Sequence, residues 1–462
     1  MLKKCYIILL LPVFLLNVFG LRQSIDWHKA LPICPKIKTG VLRCGIKYYL
    51  YPIFTQKGKI SFRLLVNAGS AMEADRENGL AHYIEHMTFN GSENFKPGTL
   101  INFFQENGIK FGNDTNAFTS YFYTCYQIDL PRNDKKNIKK GLTVLRDQGF
   151  GCLFLPEEIT RERGVILSEM RTRDSAAYRS LQSMLKFMFP NSIIANRFVI
   201  GTEQTINSFV QSDFINFYKK WYTPQRMSIV ISGDFKEEEM IPLLNATFDG
   251  KNSPLENKVK KETPEFGPIP LPKEKLEVAV YQNDELSATT LTLQANRKTN
   301  IRPHNLETLK EYFAWSIMEN IINHRLDELK DQTNIKTAEF MRNLDFEILE
   351  SAAFTISCDA KNIFGIAQEI EKFSRKIGNF GFSFQEIESG KKALQGLLTI
   401  AGNNEDNATP AQTADDIVDN LMQGGRLNSP KQSLKNFSLI ASYITAEYCL
   451  QLWKDLWENG AY

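Results

Sequence analysis

Two of the five histidines in this 462-residue chain, His82 and His86, stand four positions apart in the stretch GLAHYIEHMTFNG, with Glu85 next to the second of them. On a helix these residues project from one face a turn apart, with Glu85 on the same stripe and Leu80, Ile84 and Met87 turned to the buried side. Two neutral imidazoles so spaced are preorganised to share one metal ion, and the neighbouring carboxylate can act as base toward water on that ion. The competing reading is a helix with two surface histidines. With so few histidines, the five-residue pattern arises by chance on the order of a few times per thousand such chains.

A catalytic zinc site takes a third protein ligand and keeps its fourth position for water. The natural source is residues 156–189, PEEITRERGVILSEMRTRDSAAYRSLQSMLKFMF, which open on proline and two acids and carry the longest helical signal in the chain. Glu162 and Glu169 are seven residues apart there, two turns, and face the same way. One can bind metal while the other supports a ligand from behind, and spacing alone does not choose between them. Glu157 and Glu158 read as first-turn acids complementing the helix dipole. His28, His304 and His324 have no ligand-spaced company and read as surface or capping residues.

These helices need a scaffold, and strand signals surround them. TGVLRCGIKYYLYPI reads as a hairpin about Cys44 and Gly45, and KISFRLLVNAGSAME as a strand. NAFTSYFYTCYQIDLP reads as one strand ended by Pro131, and FYKKWYTPQRMSIVISGDF as a helix end, a Thr-Pro turn and a β-branched strand closed by Gly233 and Asp234. GTLINFFQENG and the first part of NIKKGLTVLRDQGFGCLF have helical spacing. Residues 251–275 are rich in Pro, Lys and Glu without periodicity and read as a solvated linker. Beyond the linker come strands in LEVAVYQNDELSATTLTLQAN and FEILESAAFTISCDA. Long helical patterns occupy LETLKEYFAWSIMENIINHRLDELK and the run from Asn362 to Ile400. The expectation is α+β, with two similar domains at 21–250 and 276–462.

The length suits two to three domains of roughly 100 to 200 residues. A hydrophobic content of 43%, a charged content of 23% and a net charge of +2 argue against bulk disorder and give no global electrostatic reason to bind nucleic acid or a membrane surface. Residues 1–20, MLKKCYIILLLPVFLLNVFG, pair a short basic start with an apolar run shorter than the ~20 residues of a spanning helix. They read as an export signal cut after Gly20, and as a membrane anchor only if uncleaved. Cys5 leaves with that signal. Of the six other cysteines, Cys34 and Cys44 are the nearest candidates for a disulfide, and buried free thiols are the competing reading.

GLAHYIEHMTFNGSENF, FGNDTNAFTSYFYTCYQIDLP, ERGVILSEMR and FYKKWYTPQRMSIVISGDF, in that order, resemble the pitrilysin-type zinc metallopeptidases. These are the inverzincin family of insulin-degrading enzyme and mitochondrial processing peptidase, and the likeness within it is to exported bacterial zinc proteases of the PqqL type. It runs from Thr39 to Asp234 and continues more loosely through the second domain. The resemblance implies two domains, each a mostly antiparallel sheet packed against helices, the second non-catalytic. It implies one Zn²⁺ per chain held by His82, His86 and Glu169, with Glu85 as general base and Glu162 as the supporting acid. It also implies that Asn116, Ala117 and Thr119 hold a peptide substrate as an added strand, ordinary strand packing being the alternative for these three. The implied reaction is peptide-bond hydrolysis, on peptides or unfolded segments in a periplasm or outside the cell. Bound zinc lowers the pKa of water to about 7 and polarises the carbonyl, while Glu85 takes a proton and passes it to the leaving amine. Phe122 and Tyr123 stand where relatives often carry polar or acidic residues before Thr124, which leaves the substrate preference there open.

Proteases of that type join two halves of about this size, the second supplying an arginine and a tyrosine to the substrate. This sequence resembles the first half. A second half-subunit, a homodimer partner, or a truncated relative of weak activity are the alternatives that follow. Beside the peptidase stands a reading of another class, a peptide- or partner-binding scaffold half that needs a second subunit for turnover.

Overall fold

The computed structural model describes residues 25–249, 276–298, 304–331, 333–346 and 349–457. Its strands are β1 (Lys38–Val41), β2 (Lys47–Pro52), β3 (Ile60–Val66), β4 (Thr115–Thr119), β5 (Thr124–Leu130), β6 (Met227–Gly233), β7 (Thr289–Lys298), β8 (Ile335–Asp345) and β9 (Leu349–Cys358). The first six form one sheet in the order β1-β2-β6-β3-β5-β4, and the last three a second sheet in the order β7-β9-β8. Every pairing is antiparallel except β2 with β6. Both sheets pack against helices, so the α+β class with two mostly antiparallel sheet-and-helix domains is what the structure has.

Burial decides the order of the first sheet. Every residue of β3 and of β6 is buried. Mostly apolar runs buried along their whole length suit a strand covered on both faces, and these two lie side by side at the centre. One face, with Phe62, Leu64, Tyr126, Ile128, Ile229 and Ile231, packs on helices that include Leu80–Met87 and Lys135–Phe150. The other face, with Leu65, Cys125 and Val230, is covered by Ala414, Ile417 and Val418 of the helix Pro410–Met422, which comes from far along the chain. Arg63, only 1% exposed, lies under that helix and bonds Asp129 at 2.7 Å and Asp415 at 2.7 Å. The second core is built round the 26-residue helix Leu306–Asp331 and the buried Trp315, Trp453 and Trp457, and Leu31 from the start of the described chain packs into it.

Four readings of the sequence are corrected. NAFTSYFYTCYQIDLP is a hairpin, β4 and β5, because residues 120–123 turn back and Ser120 N–H donates to Tyr123 O. Residues 156–189 hold two helices, Pro156–Arg173 and Ala176–Met188, broken where the Ser175 hydroxyl caps the second by accepting from Tyr178 N–H. The longest helix is therefore Leu306–Asp331. Residues 276–288 form no strand, and β8, which sequence reading missed, lies in Ile335–Asp345. All six cysteines among the described residues are free thiols, and Cys34 and Cys44 sit in different apolar clusters. The expected signal segment 1–20 and linker 251–275 lie outside the described residues. Among the described residues, no helix is long and apolar enough to cross a membrane.

Candidate metal centre

The helix Leu80–Met87 starts at Gly79, whose φ of 93° is left-handed and whose backbone lies against Gly201, where an added Cβ would stand 2.7 Å from the Gly201 Cα. No side chain of the usual capping position serves it. Instead the buried Glu73 reaches in, accepting from Gly79 N–H at 3.0 Å and from Ala81 N–H at 2.8 Å, so both oxygens of its carboxyl group meet the open N–H groups that start the helix. Leu80, Tyr83, Ile84 and Met87 are wholly buried, and the Tyr83 hydroxyl donates to Ile159 O of the acidic helix Pro156–Arg173. That bond and the shared core fix the two helices against each other. Their facing sides then carry His82, Glu85 and His86 on one and Glu162 and Glu169 on the other.

Glu169 Oε2 lies 3.6 Å from His82 Nε2 and 3.4 Å from His86 Nε2, and the three donor atoms all fall within 4.8 Å of one another. Its other oxygen is paired with Arg173, one turn on. Glu162 turns to the far side of His86, with Oε1 2.7 Å from Nδ1, and its second oxygen accepts from Asn90 Nδ2 at 2.8 Å. Of the two acids that spacing left open, one therefore faces both imidazoles and the other backs one of them. Glu85 is 7% exposed and accepts from the Thr119 hydroxyl at 2.6 Å. Sequence reading missed Glu73, Asn90 and Arg173. The last two stand four residues after His86 and Glu169, a helical spacing that would have flagged them, whereas Glu73 acts from outside the helix and left no periodic trace.

The charges follow the burial. Burial, and then the neighbouring His86, drag the His82 imidazole down to about 3, so it is neutral. Burial works against a charge on His86 too, but the hydrogen bonds with Glu162 and Glu169 outweigh it and lift that imidazole to about 9. Glu169 is held down to about 2, first by its bond with His86 and with help from the charge of Arg173. Burial raises Glu85 above the usual carboxylate range against the opposing bond from Thr119.

This donor set fits Zn²⁺. Ligand atoms bound at about 2.0 to 2.1 Å in a tetrahedron lie roughly 3.3 Å apart, close to the separations of Glu169 Oε2 from the two imidazole nitrogens. His82 is already in the neutral form that ligation needs, His86 would release its inward proton as metal enters, and Glu162 fixes which nitrogen of His86 points inward.

Beside the centre, β4 is the edge of its sheet. Asp129 N–H donates to Asp114 O and Ser120 N–H to Tyr123 O, so with the register between them the main-chain groups of Asn116 and Phe118 face β5. Those of Ala117 and Thr119 face outward. Asn116 offers a rim only its exposed side chain.

Fold and site together define a two-domain member of a metallopeptidase family. The chain belongs to the M16 peptidases: the profile of Insulinase (Peptidase family M16) matches residues 54–191, and that of the Peptidase M16 inactive domain matches residues 208–394. The chain is 26% identical over 435 residues to the probable zinc protease PqqL of Escherichia coli strain K12, across 93% of this chain and 46% of that protein. It is 29% identical over 373 residues to the probable zinc protease PqqL of Haemophilus influenzae, across 79% of this chain and 39% of that protein. The crystal structure of the first half of the periplasmic protease PqqL from Escherichia coli matches with a TM-score of 0.85 at 25% identity, over 93% of this chain and 91% of that one. The chain spans less than half the length of the two full-length relatives.

Proposed function

We propose that this chain is a zinc-dependent endopeptidase acting on peptides or unfolded segments in the periplasm or outside the cell. The observation that carries the reading is the convergence of His82, His86 and Glu169 within 4.8 Å beside the buried Glu85 and the edge strand β4, on which the main-chain groups of Ala117 and Thr119 face outward. His82, His86 and Glu169 would hold one Zn²⁺, which when bound lowers the pKa of water and polarises a scissile carbonyl. Glu162, itself held by Asn90, fixes the His86 ring with its Nε2 toward Glu169, where a bound zinc would sit between them. Glu85, kept from solvent and oriented by Thr119, takes the proton of the attacking water and delivers it to the leaving amine.

A peptide lies along β4 as an added strand, bonded to the outward main-chain groups of Ala117 and Thr119, with Asn116 touching it by its side chain. Because Thr119 also bonds Glu85, strand and base share one residue. The homology of the chain to 46% of the Escherichia coli relative favours a second reading, a half that binds peptide but needs a second half-subunit or a second copy for turnover.

Zinc analysis of the purified full chain, alongside cleavage of a quenched fluorescent peptide library with Glu85→Gln as control, separates the two readings. One zinc per chain with cleavage that the variant loses supports the peptidase. Zinc and peptide affinity without cleavage support the half that needs a partner, and a chain that binds no zinc refutes the metal-site reading.

A further inference from the structure

Phe346 follows β8 with a φ of 50°, a left-handed backbone that a bulky aromatic adopts only when its surroundings enforce it. Its ring lies against three aromatics of the first domain, edge-on to Phe189 with centroids 5.1 Å apart, to Tyr121 at 5.4 Å and to Phe122 at 6.3 Å. Leu349, at the start of β9, is 2% exposed in the same cluster with Leu185 and Ile194. Tyr121 and Phe122 belong to the turn of residues 120–123 that joins β4 to β5, immediately after Thr119.

The main chain of that turn is also clamped within the first domain. Ser70 N–H donates to Ser120 O at 3.1 Å and Ala71 N–H to Tyr121 O at 2.8 Å. Gly69 lies so close that an added Cβ would meet Ser120 O at 2.2 Å. The second domain thus adds Phe346 and Leu349 to the apolar cluster in which Tyr121 and Phe122 of this turn pack with Leu185, Phe189 and Ile194 of the first domain.

We propose that Phe346 is a positioning residue for peptide binding: from the second sheet it holds the 120–123 turn, and through it the outward edge of Ala117 and Thr119. The inactive-type domain then acts on substrate affinity without touching substrate. The proposal rests on the reading of β4 as the peptide-binding edge.

The test uses the full zinc-loaded chain carrying Glu85→Gln, so that nothing is cleaved, and follows fluorescein-labelled β-casein by anisotropy. Adding Phe346→Gly, which removes the ring and relaxes the backbone, weakens binding by about tenfold or more. Phe346→Tyr restores binding, and zinc content stays at one per chain. In the active chain the same change raises KM and leaves kcat in place. A merely structural role lowers the melting temperature but leaves the Kd of the folded protein unchanged, and that result overturns the proposal. If Phe346→Gly does not fold, Phe346→Leu is judged by the same criterion. If the Glu85→Gln chain itself binds no casein, the peptide-edge reading fails and takes this proposal with it.

Discussion

Glu85 and Glu169 are neighbouring acids of the same centre, and their surroundings drive them apart. Glu169 is pinned by His86 and Arg173 and stays charged, as a ligand must; Glu85 is buried with one hydroxyl partner, as suits a group that takes and returns a proton. Replacing Glu85 by Gln preserves its shape and its contact with Thr119 but removes proton transfer. We expect hydrolysis to fall by ~10²- to 10⁴-fold with zinc still bound, measured as turnover against metal content on one preparation. Glu162→Ala leaves all three inward-facing donors in place and frees the His86 ring. Zinc affinity, read by competition with a chelating dye, should drop ~10- to 100-fold, whereas Glu169→Ala removes a donor and should cost more. Equal losses from the two variants would contradict the division of labour between them.

The elements show how little of a helix's stability is its own. The eight-residue helix of the motif is too short to persist alone, and it depends on Glu73, on Tyr83 and on the glycine contact at its start. Gly79→Ala meets both a left-handed φ and the Gly201 backbone, so it should cost ~2 kcal/mol or more and lower zinc affinity with stability, seen by denaturant melts with and without metal. In the second domain the helix Phe384–Asn404 begins with a capping box in which Glu386 also receives the fork of Arg325 at 2.7 and 2.8 Å. That arrangement holds the Glu386 carboxyl down to about 2, the Arg325 bonds leading. A carboxyl held below its unfolded value stabilises the fold above the unfolded pKa of about 4.3 and loses that contribution as pH falls toward the folded value. Glu386→Gln should therefore cost ~1 kcal/mol at neutral pH, since the site is partly solvated. Relative to the parent chain, that cost should shrink between pH 5 and pH 2, in the window set by these two values.

On the scale of the whole molecule, the two domains are laced together. Trp27 and Leu31 pack with the second core, and the helix Pro410–Met422 lies on the first sheet above Arg63. Arg63 is buried while its partners Asp129 and Asp415 are 22% and 53% exposed, so losing the arginine leaves acids that water can reach. Arg63→Ala should cost ~3 kcal/mol through the cavity and the broken pair, and Arg63→Met, which refills the space, distinctly less. Asp415→Asn should cost under about 1 kcal/mol. A single cooperative melt in all three variants would show that sheet and covering helix unfold as one.

Period and residue chemistry sufficed for the motif helix and the central strands, because a helix of one turn already puts His82 and His86 on one face and a strand-length run dominated by apolar residues has nowhere to lie but inside a sheet. The same local rules read the β4–β5 hairpin as one strand and the Pro156–Arg173 and Ala176–Met188 helices as one, since a turn of Ser, Tyr and Phe and a Ser cap look like the elements they interrupt. Spacing left Glu162 and Glu169 equal and the family resemblance pointed to Glu169; both acids share a helix face, how far one helix slides along another decides which meets the imidazoles, and the tertiary structure turns Glu169 to both of them. It alone brought Glu73 to Gly79, Asp415 to Arg63 and Phe346 to Tyr121. Those pairs are up to 352 residues apart and leave no periodic mark on the chain, because what joins them is the packing of separate elements.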